Sequence, residues 1–401
     1  TYNEERERVH RTREADLKAG AKVRDLVTND ETRIKWTSGL YSDLAKNRAI
    51  TYDAGATYCG LYRPFCKQWL NASDGIIHRP AVLRRYFPTP GHDNIGFYLT
   101  GISSHYDFGA LIVDALPNLH VLDTGQFFPR WTWEPAGGRH AAESGMLDLS
   151  GDEDAKKSST AVGQEGEVVG GYRRVDNITD ATLRSYQAAY GPEVTKDVVF
   201  YYVYALLHSP EYRTRYGADL KKSLPHIPLV ASREDFVAFT TAGRGLADLH
   251  LDYESVEPTP LSLVVNGENV PWDLRETISP SLLHMEKMRY ARVRQDGRLQ
   301  DDKTSIVYNE HVTISGIPAQ AQDYLLGSRS GLDWLLDRYR VSTHKASGIV
   351  NDPNDWMAEG AGGGPTASAQ PLYLLDLIAR ITTVSVHTQE IVTSLDRKSV
   401  V

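Results

Sequence analysis

The order of local patterns along the chain restricts its fold most strongly, because strand-like and helix-like segments occur in separate blocks. Short alternating runs punctuated by glycine, proline and asparagine dominate residues 51–134. Helical apolar spacing dominates residues 172–255, and short strand-like runs return after residue 260. This segregation predicts an α+β fold, with a β-rich N-terminal half and a mixed helical and β-hairpin C-terminal half.

Four segments follow from these patterns, and 401 residues are more than one compact core usually holds. Residues 1–50 are predicted to form a charged helical connector, and residues 51–134 a β-rich unit. Residues 135–171 contain eight glycines and an acidic run, so we expect a flexible acidic loop there. Residues 172–401 are predicted to form a unit of helices and β-hairpins.

Several local signals place individual elements. Helix N-caps are predicted at Thr195, Ser209 and Ser232, and a tight hairpin turn at Asn266-Gly267. A further hairpin is predicted around 309–311, and helical periodicity appears at 319–341 and 372–395. Strands are predicted at 95–100, 108–113, 119–122 and 126–133.

The charged stretch at 3–27 has few apolar positions. A solvated helix packed through a thin apolar stripe explains it better than a nucleic-acid-binding arm, because acidic and basic residues nearly balance in 1–50. The chain starts without Met and without a signal-peptide core, inside a helical pattern, so we expect a piece of a longer polypeptide.

Composition excludes several classes of protein. The net charge of −8 argues against non-specific coating of nucleic acid, although five of those charges fall within 141–170. Only Cys59 and Cys66 are present, which excludes a disulfide framework and fits the cytoplasm. No apolar run is long enough to span a membrane.

Motifs for catalysis are missing from the sequence. There is no phosphate-binding Gly-x-x-x-x-Gly-Lys-Ser/Thr, no Gly-x-Gly-x-x-Gly after a strand, and no tight pair of histidines for a metal. The loop that grips a flipped adenine in amino-methyltransferases is also missing, and 351–355 does not replace it. We therefore predict no catalytic residue, metal site or cofactor within this chain.

One segment is locally basic. Five cations and one acid lie between Lys287 and Arg298, with Tyr290 among them and a turn-like Asp296-Gly297. Arginine offers a planar donor fork to guanine or phosphate, so this segment could face a DNA groove. Ordinary solvated surface charge explains the same pattern equally well.

A second candidate is Arg84-Arg85, which follows an aromatic stretch at 62–69. Within that stretch Tyr62, Arg63, Phe65 and Trp69 are predicted to be core residues. The same prediction applies to three residues of the helical block: Tyr202, Leu206 and His208.

Long stretches of this chain resemble the C-terminal specificity region of Type ISP restriction–modification enzymes. The resemblance runs from about residue 29 to 395. It is carried by Leu61-Tyr-Arg-Pro-Phe-Cys-Lys-Gln-Trp-Leu70, Asn177-Ile-Thr-Asp180, Val199-Phe-Tyr-Tyr-Val-Tyr-Ala-Leu-Leu-His-Ser-Pro-Glu-Tyr212, Ala247-Asp-Leu-His-Leu251, Ile306-Val-Tyr-Asn309, Ile314-Ser-Gly-Ile-Pro318 and Lys345-Ala-Ser-Gly-Ile-Val-Asn-Asp-Pro-Asn-Asp-Trp356.

The resemblance implies a fold like that of a target recognition domain, with 51–134 and 172–401 as its two parts. It also implies a double-stranded DNA partner, and a longer polypeptide that carries a nuclease, a helicase-like ATPase and an N6-adenine methyltransferase. Such a polypeptide would use S-adenosylmethionine, ATP and Mg²⁺. This region would present one adenine for methylation and license ATP-driven translocation and cleavage.

The predicted DNA contacts combine the basic segment with weaker candidates. They are Lys287, Arg289, Arg292, Arg294, Arg298 and Lys303, followed by Asn309, Arg84 and Arg85. The alternative function is a protein–protein coupling module that docks on the methyltransferase and ATPase domains without reading bases.

Overall fold

The computed structural model describes residues 1–77, 83–102, 104–136, 166–358 and 370–395. Most of the predicted loop at 135–171 therefore lies outside the described residues. The helices are α1 (Tyr2–Thr12), α2 (Glu14–Lys18), α3 (Ser38–Ala45), α4 (Leu83–Tyr86), α5 (Asp180–Tyr190), α6 (Lys196–His208), α7 (Pro210–Leu220), α8 (Arg233–Leu251), α9 (Gly331–Arg338), α10 (Pro353–Ala358) and α11 (Tyr373–Ser394).

The strands are short and form several small sheets, which confirms the predicted α+β class. They are β1 (Thr57–Arg63), β2 (Cys66–Asn71), β3 (Gly96–Thr100), β4 (Ala110–Val113), β5 (Leu116–Pro117), β6 (Gly125–Pro129), β7 (Trp131–Pro135), β8 (Val168–Val169), β9 (Tyr172–Asp176), β10 (Ser262–Val265), β11 (Glu268–Val270), β12 (Arg289–Gln295), β13 (Arg298–Val307), β14 (Val312–Ser315), β15 (Leu325–Leu326), β16 (Arg329–Ser330), β17 (Ser342–Thr343) and β18 (Val350–Asn351).

The antiparallel sheet β4-β3-β6 lies between two hydrophobic cores. Every residue of β3 and β4 is buried, and successive side chains on each strand alternate between the two cores. Phe97 and Ile112 face the helical core, whereas Tyr98 and Leu111 face the C-terminal core. A sheet covered on both faces explains why these strands are nearly continuous apolar runs.

Helices α5–α8 form the helical core against that sheet. The predicted caps are confirmed: Thr195, Ser209 and Ser232 each accept a backbone hydrogen bond at the start of α6, α7 and α8. Helices α6 and α8 approach so closely that a Cβ on Gly243 would lie 1.9 Å from the carbonyl oxygen of Tyr201. A side chain at position 243 would therefore push the two helices apart.

The C-terminal core lies beneath a five-stranded sheet of order β11-β10-β14-β13-β12. The turn between β10 and β11 is Asn266-Gly267, as predicted, and both residues have positive φ angles (51° and 88°). Helices α9 and α11 pack against this core, which also contains Leu61 and Phe65 of the N-terminal half. The two halves of the chain thus share one core.

Residues 1–50 have a small core of their own, in which Val9, Leu26, Val27 and Leu44 are buried. This matches the predicted thin apolar stripe. The amide of Asn3 exchanges two hydrogen bonds with the backbone of Ile50, which holds α1 against the end of the segment.

Four local predictions are wrong. Residues 119–122 form turns rather than a strand, and residues 172–176, expected to be helical, form β9 paired with β7. The span 319–341 holds a 3₁₀ helix and the β15–β16 hairpin before the short α9. Trp69, predicted to be buried, is 51% exposed on β2.

The remaining core predictions are confirmed for Phe65, Tyr202, Leu206 and His208, which are all buried. Tyr62 is partly buried against the C-terminal core, and the guanidinium of Arg63 lies over its ring at 4.2 Å. Across the described ranges, no helix is both long and apolar enough to cross a membrane.

Candidate nucleic-acid interface

The basic segment forms a hairpin, β12–β13, which we call the basic hairpin (289–307). Its base belongs to the five-stranded sheet, since residues 305–307 of β13 also pair with β14. Opposite Tyr290 lies Ile306, but opposite Ala291 lies Asp302, so 303–305 form a bulge in β13. Beyond the bulge the hairpin continues as two strands alone, with nearly all side chains exposed.

The tip of the basic hairpin is the turn predicted at Asp296-Gly297. Both residues have positive φ angles (50° and 76°), which is the geometry of a type I′ turn that matches the twist of the strands. A Cβ on Gly297 would meet no atom within 4 Å, so the tip extends into open space. Asp296 and Gly297 are both exposed, so the turn is accessible from solvent.

Tyr290 anchors the base of the hairpin. Its ring is buried, and its hydroxyl lies 3.2 Å from Oε1 of Gln322 and 3.0 Å from Oδ1 of Asp333. Burial, followed by the neighbouring Asp333 carboxylate, raises the pKa of this phenol well above its usual range. Tyr290 therefore stays neutral, and the strand that carries the cations starts from a fixed point.

Several cations in the basic hairpin, or just before it in the case of Lys287, point into solvent without a carboxylate partner. Among the described residues, none pairs with Lys287, Arg289, Arg294 or Arg298, and all four are exposed. Six cations face three carboxylates from Lys287 to Lys303. Unpaired arginines on a projecting ribbon are free to bind phosphates or base edges.

The other two predicted cations of the hairpin are paired. Nε of Arg292 lies 3.3 Å from Oδ1 of Asp301 on the opposite strand, with both side chains at least half exposed. Nζ of Lys303 lies 3.3 Å from Asp333 and 5.3 Å from the centre of the Tyr290 ring. Lys303 is thus part of the anchor at the hairpin base.

Asn309 has a structural role in this fold. Its side-chain nitrogen donates to the carbonyl oxygens of Leu282 and His284, both at 2.8 Å. Its side-chain oxygen accepts from the backbone nitrogens of His311 and Val312. The amide holds the turn before β14, which leaves the hairpin arginines as the stronger candidates for contact with DNA.

Arg84 and Arg85 lie on the single-turn helix α4, away from the basic hairpin along the chain, and both are exposed. Arg84 pairs with Asp74. The described residues show no partner for Arg85. Among the described residues, no hydrogen bond or ion pair joins this pair of arginines to the basic hairpin.

A cluster of arginines at the end of α9 was missed in the sequence. Arg329, Arg338 and Arg340 all approach the carboxylate of Asp337. Burial opposes ionisation of Asp337, yet hydrogen bonds from Arg338 and Arg329 lower its pKa. Three guanidinium groups around one carboxylate leave excess positive charge, and the nearby Arg338-Tyr-Arg340 was the signal available in the sequence.

The rest of the described chain offers little catalytic geometry. Within it, no group of three or more His, Cys, Asp or Glu side chains is placed to hold a metal ion. The cavity beside Cys59 and Lys67 has a volume of about 190 Å³, and Lys67 there is already paired with Glu254 at 2.7 Å.

Comparison with family models places nearly the whole chain in one family. Residues 1–377 match the model described as the Type ISP C-terminal specificity domain. A search of the curated proteins found no match.

Three solved structures have the same fold. A nuclease-deletion mutant of the Type ISP restriction–modification enzyme LlaGI, in complex with a DNA substrate mimic, is 27% identical with a TM-score of 0.71, over 99% of this chain. The ATP-dependent Type ISP enzyme LlaBIII bound to DNA is 26% identical, with a TM-score of 0.68 over 92%. The DrdV–DNA complex is 25% identical, with a TM-score of 0.72 over 99%.

The matched region is a minor part of each solved chain. It covers 25% of the LlaGI chain, 20% of the LlaBIII chain and 33% of the DrdV chain. The chain thus spans between a fifth and a third of the length of these structures.

Proposed function

Because the chain belongs to the family of Type ISP C-terminal specificity domains, we propose that it recognises a target sequence in double-stranded DNA. The observation that carries the proposal is the basic hairpin, which projects beyond its sheet with unpaired cations such as Arg294 and Arg298. The three similar structures are of DNA complexes, which supports the same partner.

In this proposal the arginines of the basic hairpin make two kinds of contact with DNA. Contacts from lysine and arginine to phosphates set the position of the protein on the duplex, and a smaller set of side chains reads base edges. A two-stranded ribbon fits the width of the major groove, and the basic hairpin has that form.

Recognition would serve chemistry performed elsewhere in a longer polypeptide. The chain would hold the target so that one adenine is flipped and methylated by a separate domain. An unmodified site would license ATP-driven translocation and cleavage. The S-adenosylmethionine, ATP and Mg²⁺ that these steps need would be bound outside this chain, by the methyltransferase and helicase-like ATPase domains.

The test is DNA methylation by the full polypeptide that contains this chain. Replacing Arg294 and Arg298 together by alanine should lower the rate of target methylation by about tenfold or more at limiting DNA. The affinity for S-adenosylmethionine should stay unchanged. Methylation at the wild-type rate and selectivity would contradict the proposal.

A second function is favoured by one observation on the opposite half of the chain. Tyr52, Trp69, Leu70 and Ile76 are large apolar residues near β2 that are 40–67% exposed. Exposed apolar surface of this kind suits docking on another protein surface. The chain would then also couple mechanically to neighbouring domains, and Trp69→Ser would weaken that coupling while leaving affinity for DNA unchanged.

A further inference from the structure

A second hairpin, β17–β18 (Ser342–Asn351), starts beside the basic hairpin. The backbone of Lys287 forms a β-bridge with Arg340, and the nitrogen of Val341 donates to the carbonyl oxygen of Glu286 at 2.8 Å. Asn354 follows β18 and holds the second strand at the same base, since its side chain exchanges hydrogen bonds with the backbone of Met285. The bases of the two hairpins are thus joined through residues 285–287.

The loop of the second hairpin is ordered by its own hydrogen bonds. The nitrogen of Gly348 donates to the carbonyl oxygen of His344 at 2.8 Å, and the nitrogen of His344 donates to that of Ile349 at 2.9 Å. Nδ1 of the His344 ring accepts from the backbone nitrogen of Ser347 and lies 2.8 Å from its hydroxyl. Such a preformed loop loses little conformational entropy when it binds.

The loop combines apolar and cationic side chains. Ile349 and Val350 are 66% and 57% exposed, although burying such side chains is favourable. Lys345 is exposed, and no described residue lies within ion-pairing distance of its side chain. From Arg338 to Val350 the sequence has three cations and no carboxylate.

We propose that the second hairpin is a further DNA-contacting element, in which Ile349 packs on the sugar and base surface of a groove while Lys345 binds a phosphate. This inference rests on the proposed function, because the same duplex would lie across both hairpins. Proteins that bend or grip DNA use exposed aliphatic side chains in this way, beside cations that hold the backbone.

Two observations favour DNA over a protein as the occupant. The second hairpin is continuous with the basic hairpin through the bridge between Lys287 and Arg340. Its base also carries the excess positive charge of the arginine cluster around Asp337. An apolar loop that also carries Lys345, on a base with excess positive charge, complements a stacked polyanion.

The experiment measures the affinity of the whole chain for its selected duplex by fluorescence anisotropy at several salt concentrations. Ile349→Asp should weaken binding at least tenfold. Lys345→Ala should weaken it about threefold and reduce the salt slope by about 0.9, the value for one phosphate contact. The matched control is Val237→Asp, which places the same charge on an exposed apolar position of α8 and should leave affinity unchanged.

The outcomes separate this inference from the proposed function. If Arg294→Ala weakens binding but Ile349→Asp and Lys345→Ala do not, the second hairpin makes no contact and the inference is wrong. If the wild-type chain binds no duplex, both proposals fail. Weakened capture of another domain by Ile349→Asp, with unchanged affinity for DNA, would assign the loop to a protein partner and overturn the inference.

A melting temperature for each variant guards against misfolding. The loop is exposed, so Ile349→Asp should unfold at the wild-type temperature. Ile349→Asn, which adds no charge, should weaken binding less than Ile349→Asp but still measurably, because the apolar contact is lost in both variants. Wild-type affinity in the asparagine variant would contradict the packing of Ile349 on DNA.

Discussion

Nε of Arg292 lies 3.3 Å from Oδ1 of Asp301, and this ion pair spans the two strands of the basic hairpin on its solvent-exposed part. Arg294, the next residue on the same side of β12, has Leu299 opposite it instead of an acid. The same strand thus carries one arginine held by a carboxylate and one that is free. This difference separates their expected contributions to DNA binding.

Removing Asp301 should therefore strengthen DNA binding. In Asp301→Asn, the carboxylate that competes with DNA phosphate for Arg292 is removed, and so is a negative charge that repels DNA. The affinity for DNA should therefore rise about two- to threefold, while the free energy of unfolding changes by less than about 1 kcal/mol. Anisotropy titrations measure the affinity. Glu268→Gln, which removes a charge from the opposite edge of the sheet, is the control and should have no effect. Weaker binding by Asp301→Asn would contradict this account.

Arg292→Ala and Arg294→Ala should differ in kind. Removing a side chain that reads a base should cost about 1–3 kcal/mol of binding free energy and relax selectivity at one position. Removing a phosphate contact should weaken binding to all sequences alike. Because Arg294 is unpaired, we expect it to show the larger loss of affinity. Affinities for the selected duplex and its single-base variants distinguish the two cases. Lys222→Ala, on the exposed surface after α7, should match the wild type.

The turn at Gly297 should matter for binding more than for stability. Gly297→Ala forces a side chain into a positive φ angle, at a cost of about 1–2 kcal/mol, but clashes with nothing. The matched control is Gly267→Ala, which has the same geometry at the other end of the sheet. Both should lower the free energy of unfolding similarly, and only Gly297→Ala should weaken DNA binding. If Gly297→Ala binds DNA with the same affinity as Gly267→Ala, the hairpin tip is not in the interface.

The buried network around His250 should make stability depend on pH. Nδ1 of His250 lies 2.5 Å from the Tyr204 hydroxyl, and its Nε2 lies 2.9 Å from Oγ1 of Thr388. Burial, followed by the charge of Arg213, lowers the pKa of His250 to about 3. As the pH falls below about 6.5, His250 therefore binds a proton in the unfolded chain but stays neutral in the folded chain.

Stability should thus be lost on acidification at up to about 1.4 kcal/mol per pH unit from His250 alone, and the loss should end near the folded pKa. His208, whose pKa burial also lowers, adds to the slope. Urea unfolding at several pH values between 7 and 4 measures how the free energy of unfolding depends on pH. His250→Gln should be less stable at pH 7 but have a shallower pH dependence by about one proton. An unchanged slope in that variant would contradict the assignment.

Local signals in the sequence predicted the elements that depend on local geometry. Asn266-Gly267 and Asp296-Gly297 require positive φ angles, and Ser209 followed by proline suits a helix start, so short-range sterics determined those positions. Residues 172–176 were misassigned because β9 forms only by pairing with β7, a partner distant in the chain. Trp69 was expected in the core because hydrophobicity alone does not reveal which face of β2 is covered.

The candidate interface was predictable only in part. The run of cations from Lys287 to Arg298 identified the basic hairpin, but sequence could not show that Asp301 would pair with Arg292. The sequence also predicted a DNA contact for Asn309, and it could not show the four hydrogen bonds that this side chain forms with the backbone. The position of the second hairpin could not be predicted from the sequence, because it depends on the bridge between Lys287 and Arg340, which lie far apart in the chain.

Selection of bound duplexes from a pool of randomised sequence tests the central claim most directly. If the chain recognises a DNA target, the bound fraction should converge on one discrete motif. The logarithm of its affinity should fall with the logarithm of salt by a slope of about −0.9 per phosphate contact. Recovery of no motif at any salt concentration would contradict sequence-specific recognition by this chain.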